Sequence, residues 1–158
     1  MRERLTWQWL KFQQLSLDQL YEILAFRQSI FVVEQNCPYQ DADGLDRYAW
    51  HLMGRNDENK LIAYLRVIVP GHKFPEPSIG RVLTSGSTRN RGIGKELMLE
   101  GIRWVEEHFP DQSIRISAQQ RVAPFYQELG FRVVSEPYDE DGIPHIEMLR
   151  FKSASPGN

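Results

Sequence analysis

Arg89-Asn90-Arg91-Gly92-Ile93-Gly94 opens the amphipathic run that starts at Ile93, and its reading decides the fold. Two glycines one residue apart strip Cβ atoms from a turn and let a ligand approach bare backbone. The helix that follows leaves its first N–H groups without internal partners and carries a partial positive charge at that end. Together these features suit a phosphate or pyrophosphate. Arg81, Arg89, Arg91 and Lys95 add a local positive patch around the turn.

Spacing excludes two common phosphate loops. A Walker A loop needs a glycine where Arg89 stands, and a Ser or Thr where Glu96 follows Lys95. A dinucleotide fingerprint wants a third glycine where Leu97 sits. A turn serving only helix packing is the bland alternative.

Outward from the turn, the chain reads as alternating strands and helices. Leu5 to Phe12 is a candidate first strand. Ser16-Leu17-Asp18-Gln19 has the form of a capping box, and Leu20, Ile23, Leu24, Arg27 and Phe31 continue at helical spacing to about Val33. Glu34 to Asp46 reads as an irregular loop. Trp50 to Arg55 and Leu61 to Val69 form a hairpin through Asn56-Asp57-Glu58-Asn59. Ser78 to Thr84 is a third strand of that sheet.

The helix opened by Gly92 sends Ile93, Leu97, Met98, Ile102, Trp104 and Val105 to a core, and Pro110 closes it. Ser113 to Ser117 is a short strand. Val122 to Leu129 is a short helix with Pro124 in its first turn and Gly130 just past its end. Phe131 to Ser135 and His145 to Phe151 are closing strands. The sum is an α/β fold: one domain over residues 1–152, a mixed sheet with helices on its faces, and a disordered polar tail at 153–158.

Composition narrows the class. A chain of 158 residues with 19 basic and 21 acidic side chains has net charge −2, which leaves no footprint for nucleic acid. The single cysteine, Cys37, excludes an internal disulfide and a multi-cysteine zinc site. Asp41, Asp43 and Asp46 do not form an EF-hand, so no metal is expected. The chain shows no membrane-length apolar run and no signal-peptide core at its start, so a cytoplasmic protein without membrane contact is expected.

A basic residue, two spacers, Gly, spacer, Gly, directly after a strand and opening a helix, resembles the acyl-CoA loop of the GNAT acetyltransferase superfamily. Ala123-Pro124-Phe125-Tyr126-Gln127-Glu128-Leu129-Gly130-Phe131 is similar to that family's late helix-to-strand motif. Arg27, the run from Phe31 to Asp41 and Glu140-Asp141-Gly142-Ile143-Pro144-His145-Ile146 resemble its ElaA-type branch. The resemblance implies a single-domain, mostly antiparallel sheet flanked by helices on both faces. It also implies acetyl-CoA as co-substrate, a small-molecule or peptide amine as acceptor, and allows a homodimer.

By that resemblance the pyrophosphate sits on the N–H groups of Asn90, Arg91, Gly92, Ile93, Gly94 and Lys95, with Arg89 and Arg91 adding charge. The pantetheine arm pairs with the strand edge Val82-Leu83-Thr84, and Gln119 stands where the family often places an amide that contacts the cofactor. The amine attacks the thioester directly while both substrates are bound, and Tyr126 matches the family's general acid. A phenol is chemically suited to protonating a departing thiolate. The base is open among Glu34, Asp41, Asp43, His51, His145 and Glu147. Glu34, at the end of the first helix, and His145, delivered by Gly142-Ile143-Pro144, carry the most weight. A glutamate some relatives use falls here near Ile114.

The bland readings are a packed Tyr126, a structural His51, and turn or solvated roles for the three aspartates. Cys37 as nucleophile has no sequence-adjacent base. The acids around the acceptor side suggest a cationic substrate. Two other functions fit the same residues: a catalytically weak acyl-CoA-binding sensor, and an enzyme like the acyl-homoserine-lactone synthases.

Overall fold

Every position of β3 (Leu61–Ile68) is buried, as a near-continuous apolar run predicts for a strand covered on both faces. The computed structural model describes residues 4–88 and 92–152; Arg89, Asn90, Arg91 and the expected tail at 153–158 lie outside the described residues. β1 (Thr6–Lys11), β2 (Ala49–Arg55), β3 and β4 (Ser78–Thr84) run antiparallel in sequence order. β4 then meets β5 (Ile114–Gln119) in parallel, and β8 (Ile143–Arg150) returns antiparallel beside β5. β6 (Arg132–Val133) and β7 (Tyr138–Glu140) both edge β8. The result is the mixed, mostly antiparallel sheet expected.

The two faces carry different helices. α1 (Leu17–Arg27) sets Ile23 against Met53, Leu61, Tyr64 and Leu83. Its capping box is formed: Gln19 N–H donates to Ser16 Oγ at 3.0 Å, and Ser16 N–H donates to Gln19 Oε1 at 2.9 Å. On the opposite face α2 (Ile93–His108) buries Ile93, Leu97, Met98, Ile102, Trp104 and Val105, the helical-period set the sequence marks. α3 (Ala123–Glu128) adds Ala123 to the same core.

Several elements differ from expectation, β8 among them, which starts at Ile143 and not at His145. The first helix is α only to Arg27, and Gln28–Glu34 continues as a wider π turn, with Gln35 N–H reaching Ile30 O at 3.1 Å. β5 runs to Gln119, two residues beyond the expected end. The expected strand from Phe131 to Ser135 shortens to β6. A strand not expected, β7, forms a hairpin with β8 through Asp141-Gly142, whose φ values of 53° and 81° are both positive. That is the geometry of a two-residue hairpin turn, for which Asp-Gly is a preferred pair.

Candidate functional site

β4 and β5 touch at one register pair, Ser78↔Arg115, and then part. From that point β4 runs on to Thr84 and β5 to Gln119 without pairing each other. The split leaves a wedge-shaped cavity of about 760 Å³, with Val82, Leu83 and Thr84 on one wall and Ser117, Ala118 and Gln119 on the other. β4 also carries a bulge. Tyr64 pairs with Leu83 but Arg66 pairs with Gly80, so one extra residue of β4 sits in the ladder. Arg81 lies in that bulge at φ 51°, a left-handed conformation costly for a side chain bearing Cβ.

Arg81 is held there by charge. Its Nε lies 2.7 Å from Asp41 Oδ1 without hydrogen-bond alignment, and its Nη2 donates to Asp41 O at 3.0 Å. Behind it, Arg27 donates from Nε to Asp41 at 2.7 Å and from Nη1 to Asp46 at 2.7 Å. Arg66 donates to Asp46 at 2.8 Å and to Asp43 at 2.6 Å. Three arginines and three aspartates thus form one network, with Arg27 at 0% and Arg66 at 1% exposure. Burial opposes ionisation of Asp43 and Asp46, but the guanidinium bonds and charge outweigh it and hold both carboxyls below the usual range. The expected solvated acidic face is therefore corrected: these acids are neutralised within the fold and lend no free negative charge to an acceptor.

The far wall of the cavity comes from the β7–β8 hairpin. His145 is buried there; its Nδ1 donates to Ile143 O at 2.8 Å and its Nε2 lies 3.1 Å from Glu140 Oε2. Ser117 and Tyr138 share a hydrogen bond through their hydroxyls, joining β5 to the same hairpin. Cys37 donates from Sγ to Asp141 O at 3.3 Å, which ties the loop after the π turn to the hairpin turn.

Tyr126 lines the cavity from α3, edge-on to Phe125 at 5.1 Å and Phe131 at 5.9 Å. Burial pushes its phenol up to about 12. At the other margin Gly94, in the first turn of α2, also lines the cavity. A Cβ there would meet only Phe125 Cζ at 3.8 Å, an ordinary contact, and its φ is not positive. Neither packing nor backbone requires glycine at 94. The glycine leaves bare backbone on the cavity wall at the start of α2.

A family model described as an acetyltransferase (GNAT) domain matches residues 32–150. The chain belongs to the GNAT acetyltransferase family. Protein ElaA of Escherichia coli is 44% identical over 147 residues, covering 91% of this chain and 95% of that one. The crystal structure of E. coli ElaA superposes with a TM-score of 0.86 at 40% identity, covering 93% and 99% of the two chains. An acyl-CoA N-acyltransferase from Pseudomonas aeruginosa superposes with a TM-score of 0.88, also at 40% identity and with 93% and 99% coverage. These matches assign the chain to the ElaA-type branch of the GNAT family, whose fold uses acyl-CoA for acyl transfer.

Within this GNAT frame the cavity brings together Val82, Leu83, Thr84, Gly94, Gln119, Tyr126, Glu34 and His145. Gln119 is engaged on both sides: its amide donates to Gln35 Oε1 at 3.1 Å and accepts from Arg121 Nε at 3.0 Å. The Ile93 side chain is a core residue, and neither Gly92 nor Lys95 is on the cavity wall. Gly92 instead caps α2 at φ 77°.

Three candidate bases fall away from the cavity or are already used. His51 is buried, accepts from Tyr64 O–H at 2.6 Å and donates to Asp46 O at 3.0 Å; burial pushes its pKa down. Glu147 pairs with Arg115 at 3.0 Å, and Asp41 is locked between Arg27 and Arg81. Sequence reading missed Lys73, Arg121 and Glu140, all on the cavity wall. Only Glu140 had a signal within reach, since Asp141-Gly142 marks a hairpin that sets it beside His145.

Proposed function

We propose that the protein is an N-acetyltransferase that moves acetyl from acetyl-CoA to a primary amine while both are bound. The observation that carries the reading is the split between β4 and β5. It supports a cofactor arm laid along Val82-Leu83-Thr84, with the pyrophosphate at the Gly92–Lys95 helix start assisted by Arg89, Asn90 and Arg91. Gln119 borders the same arm.

The amine nitrogen attacks the thioester carbonyl carbon, and a backbone N–H of the β4 edge stabilises the developing oxyanion. The C–S bond breaks, and Tyr126 gives its proton to the departing thiolate. A phenol held near 12 by burial stays protonated at neutral pH, which suits an acid and not a base. The proton lost by the amine passes to the His145–Glu140 pair or to Glu34, all on the cavity wall. Holding the two reactants in one cleft supplies much of the acceleration.

The test is free-thiol release from acetyl-CoA across a panel of amines, run beside thermal unfolding with acetyl-CoA. Acceptor-dependent release is the expected result. Strong stabilisation by acetyl-CoA with only background release from every amine would make the protein a binding module instead.

A further inference from the structure

The charges on the cavity wall balance in sum but are not all paired. Asp43 is taken by Arg66 at 2.6 Å and Arg81 at 3.3 Å, and the six-residue network it belongs to sums to zero. Lys73, in the turn between β3 and β4, stands on the same wall. Its ammonium forms no ion pair among the described residues; its nearest assigned partner is the Phe74 ring, 5.6 Å from Nζ. Its charged surroundings are Glu140, Arg66, Arg81 and Asp43, which places it at the end of the cavity remote from Gly94. Lys73 is an exposed residue on this wall, so its side chain is open to a solute entering the cavity. Beside it Arg66, 1% exposed, keeps a buried Nε without a hydrogen-bond partner among the described residues.

Resting on the acyl-transfer reading above, we propose that the acceptor bears a carboxylate near its amine, and that Lys73, backed by Arg66, forms the subsite for it. The Lys73 ammonium, without an ion pair among the described residues, matches one carboxylate charge. A phosphate monoester, at about −2, would be left half-compensated. The amine of the same molecule then meets the Glu140–His145 pair, whose members lie 3.1 Å apart on the same wall. An amino acid or a short peptide has both groups at the spacing of one small cleft. A polyamine has no partner for Lys73 and meets like charge there.

The experiment compares free amino acids, their carboxamides and the matching carboxylate-free amines as acceptors, with wild type, Lys73→Gln and Lys73→Arg. The carboxylate acceptors should show the higher kcat/KM in wild type. Lys73→Gln should raise KM for them about tenfold or more, the loss of one charge-assisted contact. KM for the carboxamides and for acetyl-CoA should stay unchanged, and Lys73→Arg should restore most of the loss. Carboxamides or polyamines turning over as well as the acids, or Lys73→Gln affecting all acceptors alike, would overturn the subsite.

A second arm reads binding without turnover, as the melting-temperature rise of CoA-saturated protein with each acid and its carboxamide. Equal shifts, or equal absence of shift, would also overturn the subsite. Failure of acetyl-CoA itself to stabilise the protein would strike the donor reading instead, so the two failures are separable.

Discussion

Gly94→Ala separates a residue kept for the fold from one kept for a ligand. In the free protein the added methyl meets only Phe125 Cζ at 3.8 Å, and the backbone already has negative φ. Alanine is favoured over glycine within a helix by roughly 0.5–1 kcal/mol. The free variant should therefore melt at the wild-type temperature or slightly above it, by about 2–4 °C per kcal/mol for a domain of this size. Acetyl-CoA at 100 times its Kd should stabilise wild type by about 2.7 kcal/mol, or roughly 5–11 °C. A methyl forced against the bound pyrophosphate should cost about 1–3 kcal/mol. If the cost reaches about 2.7 kcal/mol, affinity drops roughly a hundredfold, and the same ligand concentration leaves only about 0.4 kcal/mol of stabilisation, or 1–2 °C. The assay is a thermal melt of both proteins with and without acetyl-CoA. Gly92→Ala is the control: its φ of 77° makes a Cβ costly by roughly 1–2 kcal/mol in the free protein. The reasoning fails if Gly94→Ala lowers the melting temperature of the free protein, or if it leaves the acetyl-CoA shift intact.

The other predictions follow from the same geometry. Tyr126→Phe should lower kcat by roughly a hundred- to ten-thousandfold with little change in acetyl-CoA affinity, since only a proton donor is removed; an unchanged kcat/KM from pH 6 to about pH 9 would take Tyr126 out of the mechanism. Asp46→Asn strips the charge shared by Arg27 and Arg66 and should cost roughly 3–5 kcal/mol, read as a urea midpoint shift at constant slope; a loss under about 1 kcal/mol would show the network is not coupled. Asp43 and Asp46 titrate lower in the folded chain than their unfolded value of about 3.9, so their contribution is present above that pH and is lost as the pH falls below it. The urea midpoint should stay level from pH 7 to about pH 5 and fall below about pH 4, and a midpoint that rises on acidification would contradict the pairing.

What the sequence disclosed and what it withheld divide by range. Ser16 and Gln19 lie three residues apart, and both bonds of their capping box are formed. The α2 stripe repeats within 16 residues and is buried as its period demands. The helix that the glycine turn opens belongs to the same class, since α2 begins at Ile93 with Gly92 as its cap. The hairpin at Asp141-Gly142 is equally local, but Ile143-Pro144 after it obscures the strand on its far side. Proline is tolerated there because β5 ends at Gln119, opposite His145, and leaves Pro144 without a β5 partner to donate to.

The cavity itself is not a local object. It exists because β4 and β5 share one pair and then part, and because β4 bulges at Arg81. A bulge built on a non-glycine residue at φ 51° needs support that no strand-length window contains. The support comes from Asp41 and Asp43, about forty residues earlier, and those acids are in turn held by Arg27 and Arg66. Read by composition, three aspartates in a loop look like a charge offered to a substrate. Paired across the fold, they set the shape of the strand edge that the proposed donor must meet. Removing them should therefore disturb acetyl-CoA binding along with stability, although none of the three is placed against the donor.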